Sequence, residues 1–317
     1  MTWLSIGVDT SNYTTSISCV STEGIVFERR TVLSVPLGER GLRQSDAVFQ
    51  HVRNLPPLMS ALLEQIDRSE VSAVGVSAKP ARSEESYMPV FLAGKLAATA
   101  IASSLNVPLY ETTHQAGHVR AAMLGQERAI DESPFLAMHL SGGTTDLLSV
   151  KQEDGLLGDI ERIGGCGDLH AGQFVDRVGV ALGLPFPSGI HLEALARRAI
   201  KREIKLPSSV HGLNCSFSGQ ESHCQRLVAS GTEKEEIAFA VYDCMARTFA
   251  KMLTNAFERT GCKMVLLSGG VSGSTLLKEL LQKRMDAKLL FAGSGLSADN
   301  AVGVALLARD RRLREGG

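Results

Sequence analysis

Alternating hydrophobic and polar positions divide this chain into short strands and longer amphipathic helices. In the first half, residues 24–33 and 71–77 have strand patterns, while residues 45–66 carry apolar side chains at helical spacing. In the second half, the pattern predicts a strand over residues 135–140 and a long helix over residues 234–260. Strand and helix signals keep alternating along the chain, which is typical of the α/β class.

Two polar turns between strand signals look like copies of one motif. Residues 5–20 and 138–150 each contain a strand, a turn rich in small hydroxyl residues, and a second strand. Backbone N–H groups and hydroxyls that converge in such a turn form a concavity that binds anions. The repeat therefore predicts a duplicated nucleotide-binding fold with lobes at residues 1–112 and 113–317 and a nucleotide cleft between them. The last helix is expected to pack back on the first lobe.

A glycine pair follows the apolar strand predicted over residues 264–268. Gly269 and Gly270 lead into a helix predicted to begin near Ser274. Backbone N–H groups at a helix N-terminus can approach a nucleotide phosphate closely when no side chain intervenes. A tight strand-to-helix connection explains the same two glycines equally simply, so the nucleotide interpretation depends on the two polar turns.

Histidines four residues apart indicate a metal site. His114 and His118 project from one face of a short predicted helix, close enough to share one ion. His139, just before the second polar turn, and Asp299, before the last helix, are further candidate ligands, and such a set suits Fe or Zn. Two histidines at a helix surface and an aspartate that caps a helix remain structural alternatives. Gln115 stands where a zinc peptidase carries its general base, which disfavours peptidase activity.

Composition narrows the class of protein. The 317 residues are 44% hydrophobic, enough to fill two cores, and 33 basic against 34 acidic residues leave no global positive field to hold nucleic acid. The six cysteines show no CxxC spacing, and no apolar run reaches the roughly 18 residues of a membrane span. We expect a reduced, cytoplasmic protein without a membrane segment. A basic stretch at residues 197–205 is the best local RNA candidate, although such runs are more often solvated surface.

Specific motifs spread over nearly the whole chain carry a resemblance to a known family. They read IGVDTS, HVRNLPPL, HQAGH, LSGGTTD, HAGQFVDRVGVALGLPFPSG, CSFSG, SGGVSGSTLL and SADNA. In these motifs the chain resembles the tRNA threonylcarbamoyladenosine synthase family, the transferase subunit formerly described as O-sialoglycoprotein endopeptidase. That family belongs to the actin-like ATPase superfamily, together with sugar kinases and heat-shock chaperones.

The resemblance implies an activity and its site residues. The reaction is transfer of a threonylcarbamoyl group from its adenylate to an adenosine of tRNA, with a divalent Fe or Zn ion, ATP or the acyl-adenylate, and Mg²⁺ as a further candidate ion. Accessory subunits and a homo- or heterodimer are the implied protein partners. The implied metal ligands, also the expected catalytic residues, are His114, His118 and Asp299, with His139 where some relatives have a tyrosine. The implied substrate and nucleotide contacts are Asp9, Leu140, Ser141, Gly142, Gly143, Thr144, Asp159, Gly172, Asp176, Gly269, Gly270 and Ser274.

Four positions depart from the family pattern. Thr144 replaces a histidine, Gln173 a glutamate, Glu221 a lysine and Ser274 an asparagine. These changes remove or reverse groups that could hold a nucleoside or RNA. Two alternatives therefore stay open: a paralogue that uses the same nucleotide and metal on another acceptor, and a non-catalytic partner that regulates a family member.

Overall fold

The first β-sheet has a mixed five-stranded arrangement. In the computed structural model its strands run in the order β3-β2-β1-β4-β5. β1 pairs with β2 and β2 with β3 in antiparallel fashion, whereas β1-β4 and β4-β5 are parallel. The strands are β1 (Leu4–Thr10), β2 (Thr14–Val20), β3 (Ile25–Val32), β4 (Val71–Lys79) and β5 (Leu109–Thr113). The structure describes residues 3–35, 42–82, 87–131, 133–153, 156–293, 295–297 and 299–316.

The second sheet repeats that plan and extends it. Its order is β12-β11-β6-β7-β8-β10-β9, so β8-β7-β6-β11-β12 corresponds to the whole first sheet. Its strands are β6 (Phe135–Leu140), β7 (Thr145–Glu153), β8 (Leu156–Cys166), β9 (Ser209–His211), β10 (Asn214–Ser216), β11 (Met264–Ser268) and β12 (Lys288–Phe291). The predicted duplication is confirmed, and the added pair β10-β9 extends the β8 edge.

Nine helices lie in the described part of the chain. The predicted helix over residues 45–66 forms at Gln44–Leu63, and Thr113 caps α3 by accepting a hydrogen bond from the Ala116 N–H at 3.1 Å, as the sequence predicts. The helices are α1 (Gln44–Leu63), α2 (Phe91–Leu105), α3 (His114–Met123), α4 (Ala171–Ala181), α5 (Gly189–Ala196), α6 (Ser218–Ala229), α7 (Lys234–Thr260), α8 (Thr275–Gln282) and α9 (Val302–Arg314). None of these helices combines the length and apolar character that crossing a bilayer requires.

The chain divides into two compact units, each built on one sheet. Unit 1 comprises Met1–Leu124, Asp154–Leu157 and Ala298–Gly317, and unit 2 comprises Gly125–Glu153 and Gly158–Ser297. The last helix, α9, packs within unit 1. Helix α3, which carries His114 and His118, also belongs to unit 1, whereas the boundary drawn from the sequence at residue 113 assigns it to the second lobe.

Packing between α3 and α9 explains why α3 belongs to unit 1. A Cβ atom at Gly303 would clash with the carbonyl group of Gly117, so the two backbones approach as closely as glycine allows. The Arg120 guanidinium on α3 binds the Asp310 carboxylate on α9 at 2.7 Å, and both side chains are buried. Removing one partner of a buried ion pair leaves an unpaired buried charge and strongly destabilises the fold. The Arg120–Asp310 pair therefore fixes the register of the two helices.

Candidate metal centre and nucleotide loop

The three predicted metal ligands come together in unit 1. The His114 Nε2 atom lies 3.0 Å from His118 Nε2, and Asp299 Oδ1 lies 3.2 Å from His118 Nε2 and 3.8 Å from His114 Nε2. A metal about 2.1 Å from each ligand atom places neighbouring ligands about 3.0–3.4 Å apart. Among the described residues, these three side chains form the group whose geometry suits an ion.

Helix geometry and the segment before α9 produce this triangle. His114 is the first residue of α3, and His118 follows one turn later on the same face. Asp299 does not cap α9: at the start of that helix, Asn300 Oδ1 accepts a hydrogen bond from the Val302 N–H at 3.0 Å. Asp299 therefore does not act as a helix cap, and its carboxylate faces the two histidines instead.

Three side chains from the first sheet surround the ligands. Each oxygen of the Asp9 carboxylate lies 3.1 Å from His114 Nδ1. The Ser11 hydroxyl donates to Asp299 Oδ2 at 2.7 Å, and the Arg30 guanidinium donates to the Asp299 carbonyl oxygen at 3.2 Å. Each contact orients a ligand rather than replacing it, which is the usual arrangement around metal-binding histidine and carboxylate groups.

Charge at the site favours a cation. Burial disfavours protonation of His114, but Asp9 and Asp299 outweigh it and raise the pKa of His114 to about 9. Burial alone would raise the pKa of Asp299, yet hydrogen bonding to His118 and the nearby imidazole charges hold that pKa well below its usual range. Two carboxylates around two imidazole nitrogens therefore fit a divalent ion. The donor set of two nitrogens and one oxygen suits Fe and Zn equally.

His139 lies in unit 2, at the end of β6. Its Nδ1 atom shares a 3.0 Å hydrogen bond with the Ser268 hydroxyl on β11, and the residue is buried. His139 also occupies the position in the second hairpin that Asp9 occupies in the first, since Asp9 pairs with Ser16 and His139 with Asp146. Its assignment as a metal ligand stays a prediction.

The second polar turn forms an exposed loop beside the start of α4. The Ser141 N–H donates to the Thr144 carbonyl at 2.8 Å, and Gly142 and Gly143 are exposed at the tip. The Gly172 N–H donates to the Ser141 carbonyl at 3.1 Å, so this loop packs on the first turn of α4. A Cβ at Gly172 would lie 2.6 Å from the Gly142 nitrogen, whereas a Cβ at Gly143 meets no described atom within 4 Å. The exposed tip at Gly142 and Gly143 offers backbone amides to an anion. The amides of His170, Ala171 and Gly172 at the start of α4 instead donate to Gln173, Thr145 and Ser141.

The glycine pair lies next to this loop. Gly269 has a φ of +89°, and a Cβ there would clash with the Leu140 backbone. Gly270 begins a short 3₁₀ turn, and a Cβ there meets no described atom within 4 Å. Ser274 caps α8 by accepting the Leu277 N–H at 3.2 Å. The fold thus brings Leu140, the loop, Gly172 and the glycine pair together, while the Ser274 hydroxyl serves the helix.

The two predicted aspartate contacts have different surroundings. Asp159 is exposed on β8. Asp176 on α4 accepts the Ser188 N–H at 2.7 Å, and burial raises the pKa of its carboxyl group despite that hydrogen bond. Asp176 thus also has a structural role in holding the loop before α5.

The basic stretch at residues 197–205 is largely paired within unit 2. Arg197 binds Glu279 at 3.0 Å, Lys201 binds Glu233 at 3.1 Å, and Arg198 binds Glu235 at 3.2 Å. This pairing favours the solvated-surface interpretation over an RNA contact.

Sequence reasoning missed the residues that surround the metal ligands. Ser11 and Arg30 carry no motif that points to Asp299, which lies 288 and 269 positions further along the chain; only the sheet order brings them there. A buried histidine, His51, was also missed. It bridges the Thr15 hydroxyl and the Ser11 carbonyl, each at 2.8 Å, and thereby supports the first turn.

Proteins of known family are similar to this chain in sequence. A model of the family described as tRNA N6-adenosine threonylcarbamoyltransferase matches residues 38–306. A protein of that name from Dichelobacter nodosus is 30% identical over 275 residues, which span 84% of this chain and 78% of the relative. One from Neorickettsia sennetsu is 26% identical over 97% of this chain and 93% of the relative.

Solved structures with low sequence identity show the same fold. HypF from T. kodakarensis has a TM-score of 0.63 at 16% identity, over 99% of this chain and 48% of that one. Component A of the Acidaminococcus fermentans (R)-2-hydroxyglutaryl-CoA dehydratase has a TM-score of 0.58 at 14% identity, over 98% and 99%. A ROK family glucokinase from Streptomyces griseus has a TM-score of 0.53 at 15% identity, over 97% and 99%. These likenesses confirm the actin-like ATPase fold. The chain belongs to the tRNA N6-adenosine threonylcarbamoyltransferase family, a family of transferases.

Proposed function

We propose that the protein transfers a threonylcarbamoyl group from its adenylate to an adenosine of tRNA, with a divalent metal held by His114, His118 and Asp299. The observation that carries this proposal is the triangle of ligand atoms, with separations of 3.0–3.8 Å, in a chain of this family. The loop of Ser141–Thr144 and the start of α4 are the proposed nucleotide contacts. A cytoplasmic location and accessory subunits follow from the proposed acceptor and belong to the same proposal.

The proposed metal ligands and the proposed nucleotide loop have different parts in this reaction. A divalent metal held by His114, His118 and Asp299 would supply a Lewis acid. Amides at Gly142 and Gly143 are open to an oxygen that gains negative charge during acyl transfer, and stabilising such charge is the main catalytic role of preorganised amides. Asp9 holds His114 at Nδ1, which leaves Nε2 directed toward the other ligands. The amino nitrogen of the adenosine attacks the carbamoyl carbon and releases one proton to solvent, the bond from that carbon to the phosphate oxygen breaks, and AMP leaves.

Two of the family departures favour the paralogue as a second candidate. Gln173 Oε1 accepts the His170 N–H at 3.2 Å, and the Ser274 hydroxyl accepts the Leu277 N–H at 3.2 Å. Both side chains are therefore occupied with helix capping at positions where relatives carry groups suited to a substrate. A different acceptor would explain why these contacts are dispensable.

Nucleoside mass spectrometry of tRNA tests the proposal. Cells depleted of their own threonylcarbamoyl transferase receive this protein with the usual accessory subunits, and a parallel culture receives the His118→Ala variant. We expect threonylcarbamoyladenosine to return with the native chain and not with the variant. If the native protein is soluble and binds nucleotide but restores no modified adenosine, tRNA is not its acceptor. A quadruple variant that carries T144H, Q173E, E221K and S274N then shows whether the departures from the family pattern are the cause.

A further inference from the structure

The position of Asp9 does not suit a contact to nucleotide phosphates. Its side chain is fully buried, with 0% exposure, at the end of β1. Both carboxylate oxygens lie 3.1 Å from His114 Nδ1. A carboxylate that reaches phosphate-bound Mg²⁺ needs access to solvent or ligand, and Asp9 has none.

The contact with His114 gives Asp9 a different role. A carboxylate accepts a hydrogen bond, so it selects the imidazole form that carries a proton on Nδ1. In the metal-binding form of the ring, which carries no proton on Nε2, that atom faces His118 Nε2 and Asp299 Oδ1, at 3.0 and 3.8 Å. Carboxylates behind metal-binding histidines fix ring orientation and raise ligand basicity, and their loss typically lowers metal affinity about 10- to 100-fold.

Neighbouring residues of the same turn support this assignment. Ser11 donates to Asp299 Oδ2 at 2.7 Å, so the first turn contacts two of the three ligands. His51 in turn holds the Ser11 carbonyl at 2.8 Å. Thr10, which lies between Asp9 and Ser11 in the sequence, points to the opposite face of β1, where its hydroxyl donates to the Val90 carbonyl at 2.9 Å. The turn is therefore divided by strand alternation into a metal face and a helix-packing face.

We infer that Asp9 is a positioning residue of the metal centre, which fixes the orientation and the imidazole form of His114, and that it does not contact the nucleotide. The inference rests on the proposed metal site at His114, His118 and Asp299. It assigns to the first polar turn a task that differs from that of the second.

Metal and nucleotide titrations of full-length, metal-stripped protein test this inference. Zn²⁺ affinity is measured by competition calorimetry, the ligand field of bound Co²⁺ by its visible absorption, and nucleotide affinity with a non-hydrolysable ATP analogue and Mg²⁺. For Asp9→Asn we expect Zn²⁺ affinity to fall about 10- to 100-fold and the Co²⁺ spectrum to change. Nucleotide affinity should stay within about 2-fold of the native value, since Asp9 is assigned no nucleotide contact.

Thr10→Val is the matched control. It removes a hydroxyl with the same 0% exposure from the adjacent position, so it disturbs the strand without touching the metal face. If Thr10→Val weakens Zn²⁺ binding and shifts the Co²⁺ spectrum as much as Asp9→Asn, the effect is general loosening of β1 and the inference is wrong. Loss of nucleotide affinity in Asp9→Asn with native metal affinity would likewise overturn it.

The design separates this inference from the proposed function. If the native protein binds neither Zn²⁺ nor Co²⁺, the metal site itself fails, and with it both the inference and the metal-dependent mechanism. If the native protein binds metal and Asp9→Asn binds it equally well with an unchanged Co²⁺ spectrum, only the role of Asp9 is refuted.

Discussion

The two polar turns share one backbone arrangement but differ in what surrounds them. The Ser11 N–H donates to the Thr14 carbonyl at 3.0 Å, and the Ser141 N–H donates to the Thr144 carbonyl at 2.8 Å. The strand registers agree as well, because Thr10 pairs with Thr15 and Leu140 with Thr145. Local sequence thus determines the same turn twice.

The two turns differ in how deeply their residues are buried. In the first turn, Ser11 and Thr14 are buried, and at its tip the Asn12 side chain accepts a hydrogen bond from Gln44 on α1 at 3.0 Å, while Tyr13 is exposed. In the second, Gly142 and Gly143 occupy the tip and are exposed. The comparison shows that duplication preserves backbone geometry, while the residues at the tip and the elements packed on it give the two turns different exposure.

The largest expected effect comes from removing a metal ligand beside the first turn. His118→Ala should lower Zn²⁺ affinity at least about 100-fold, because one of three protein ligands is lost. It should leave ATP-analogue affinity at the loop of Ser141–Thr144 unchanged. Calorimetry on metal-stripped protein measures both. Val119→Ala is the control, since Val119 is buried on the same helix at 2% exposure but carries no ligand. A comparable loss of metal affinity in Val119→Ala would mark the effect as helix damage.

The reverse experiment changes the tip of the second turn. Gly143→Val should lower ATP-analogue affinity at least about 10-fold, since its side chain projects into open space where a phosphate would approach, while Zn²⁺ affinity stays native. Melting should be unchanged, because the φ of Gly143 lies outside the left-handed region. Gly172→Ala provides the contrast: its Cβ would lie 2.6 Å from the Gly142 nitrogen, so it should displace the loop and lower stability as well. Native nucleotide affinity in Gly143→Val would refute the loop as the nucleotide contact.

The equivalent serines offer a smaller and more direct test. Ser11→Ala removes the 2.7 Å hydrogen bond to Asp299 and should weaken Zn²⁺ binding about 10-fold, the value of one hydrogen bond to a charged group. Ser141→Ala should leave Zn²⁺ affinity unchanged and affect only nucleotide binding. Equal effects of the two substitutions on metal affinity would contradict the division of tasks between the turns.

The smallest effect concerns Asp168, which follows β8 in unit 2. Asp168 accepts the Leu169 N–H at 2.6 Å and the Ser218 N–H at 3.1 Å, linking the end of β8 to α6. Burial opposes ionisation, but hydrogen bonds from Cys166 and Ser218 outweigh it and hold the pKa of Asp168 well below its usual range. Because this side chain is largely exposed, Asp168→Asn should cost only about 1 kcal/mol of unfolding free energy at neutral pH.

The pH dependence of this difference has a defined sign. A carboxyl group whose folded-state pKa is depressed stabilises the fold fully above its unfolded-state pKa, about 3.9, and loses that contribution as the pH falls toward the folded-state value. The difference between native protein and Asp168→Asn should therefore be constant near pH 7 and shrink below about pH 4. Urea unfolding at several pH values measures it, and a difference that grows on acidification would refute the assignment.

Much of the fold follows from the sequence because its signals are local. The two hairpins, the cap at Thr113 and the long helix Lys234–Thr260 depend on periodicity and capping within a few residues, and the structure contains each of them. Short elements were not predicted: β9 (Ser209–His211) and β10 (Asn214–Ser216) span three residues each, too few for a period to show.

The site was predictable only in part. Spacing on one helix indicates His114 and His118 as ligands, because four residues make about one turn. No local pattern indicates that Asp9 and Ser11 face the ligands, since that follows from which helices pack on which side of the first sheet. The prediction that both turns contact a nucleotide rests on their similar sequences and stays a prediction, and the burial of each turn is a tertiary property that no local pattern gives.

The contact between Gly117 and Gly303 has a consequence for how loss of function would appear in a mutational screen. A Cβ at Gly303 would clash with the Gly117 carbonyl, so we expect any side chain there to push α3 away from α9 and to carry His114 and His118 away from Asp299. A random library selected for loss of metal would therefore recover substitutions at Gly303 beside those at the ligands. Such variants would keep every metal-binding side chain, and a comparison that counts only histidines and aspartates would classify them as intact.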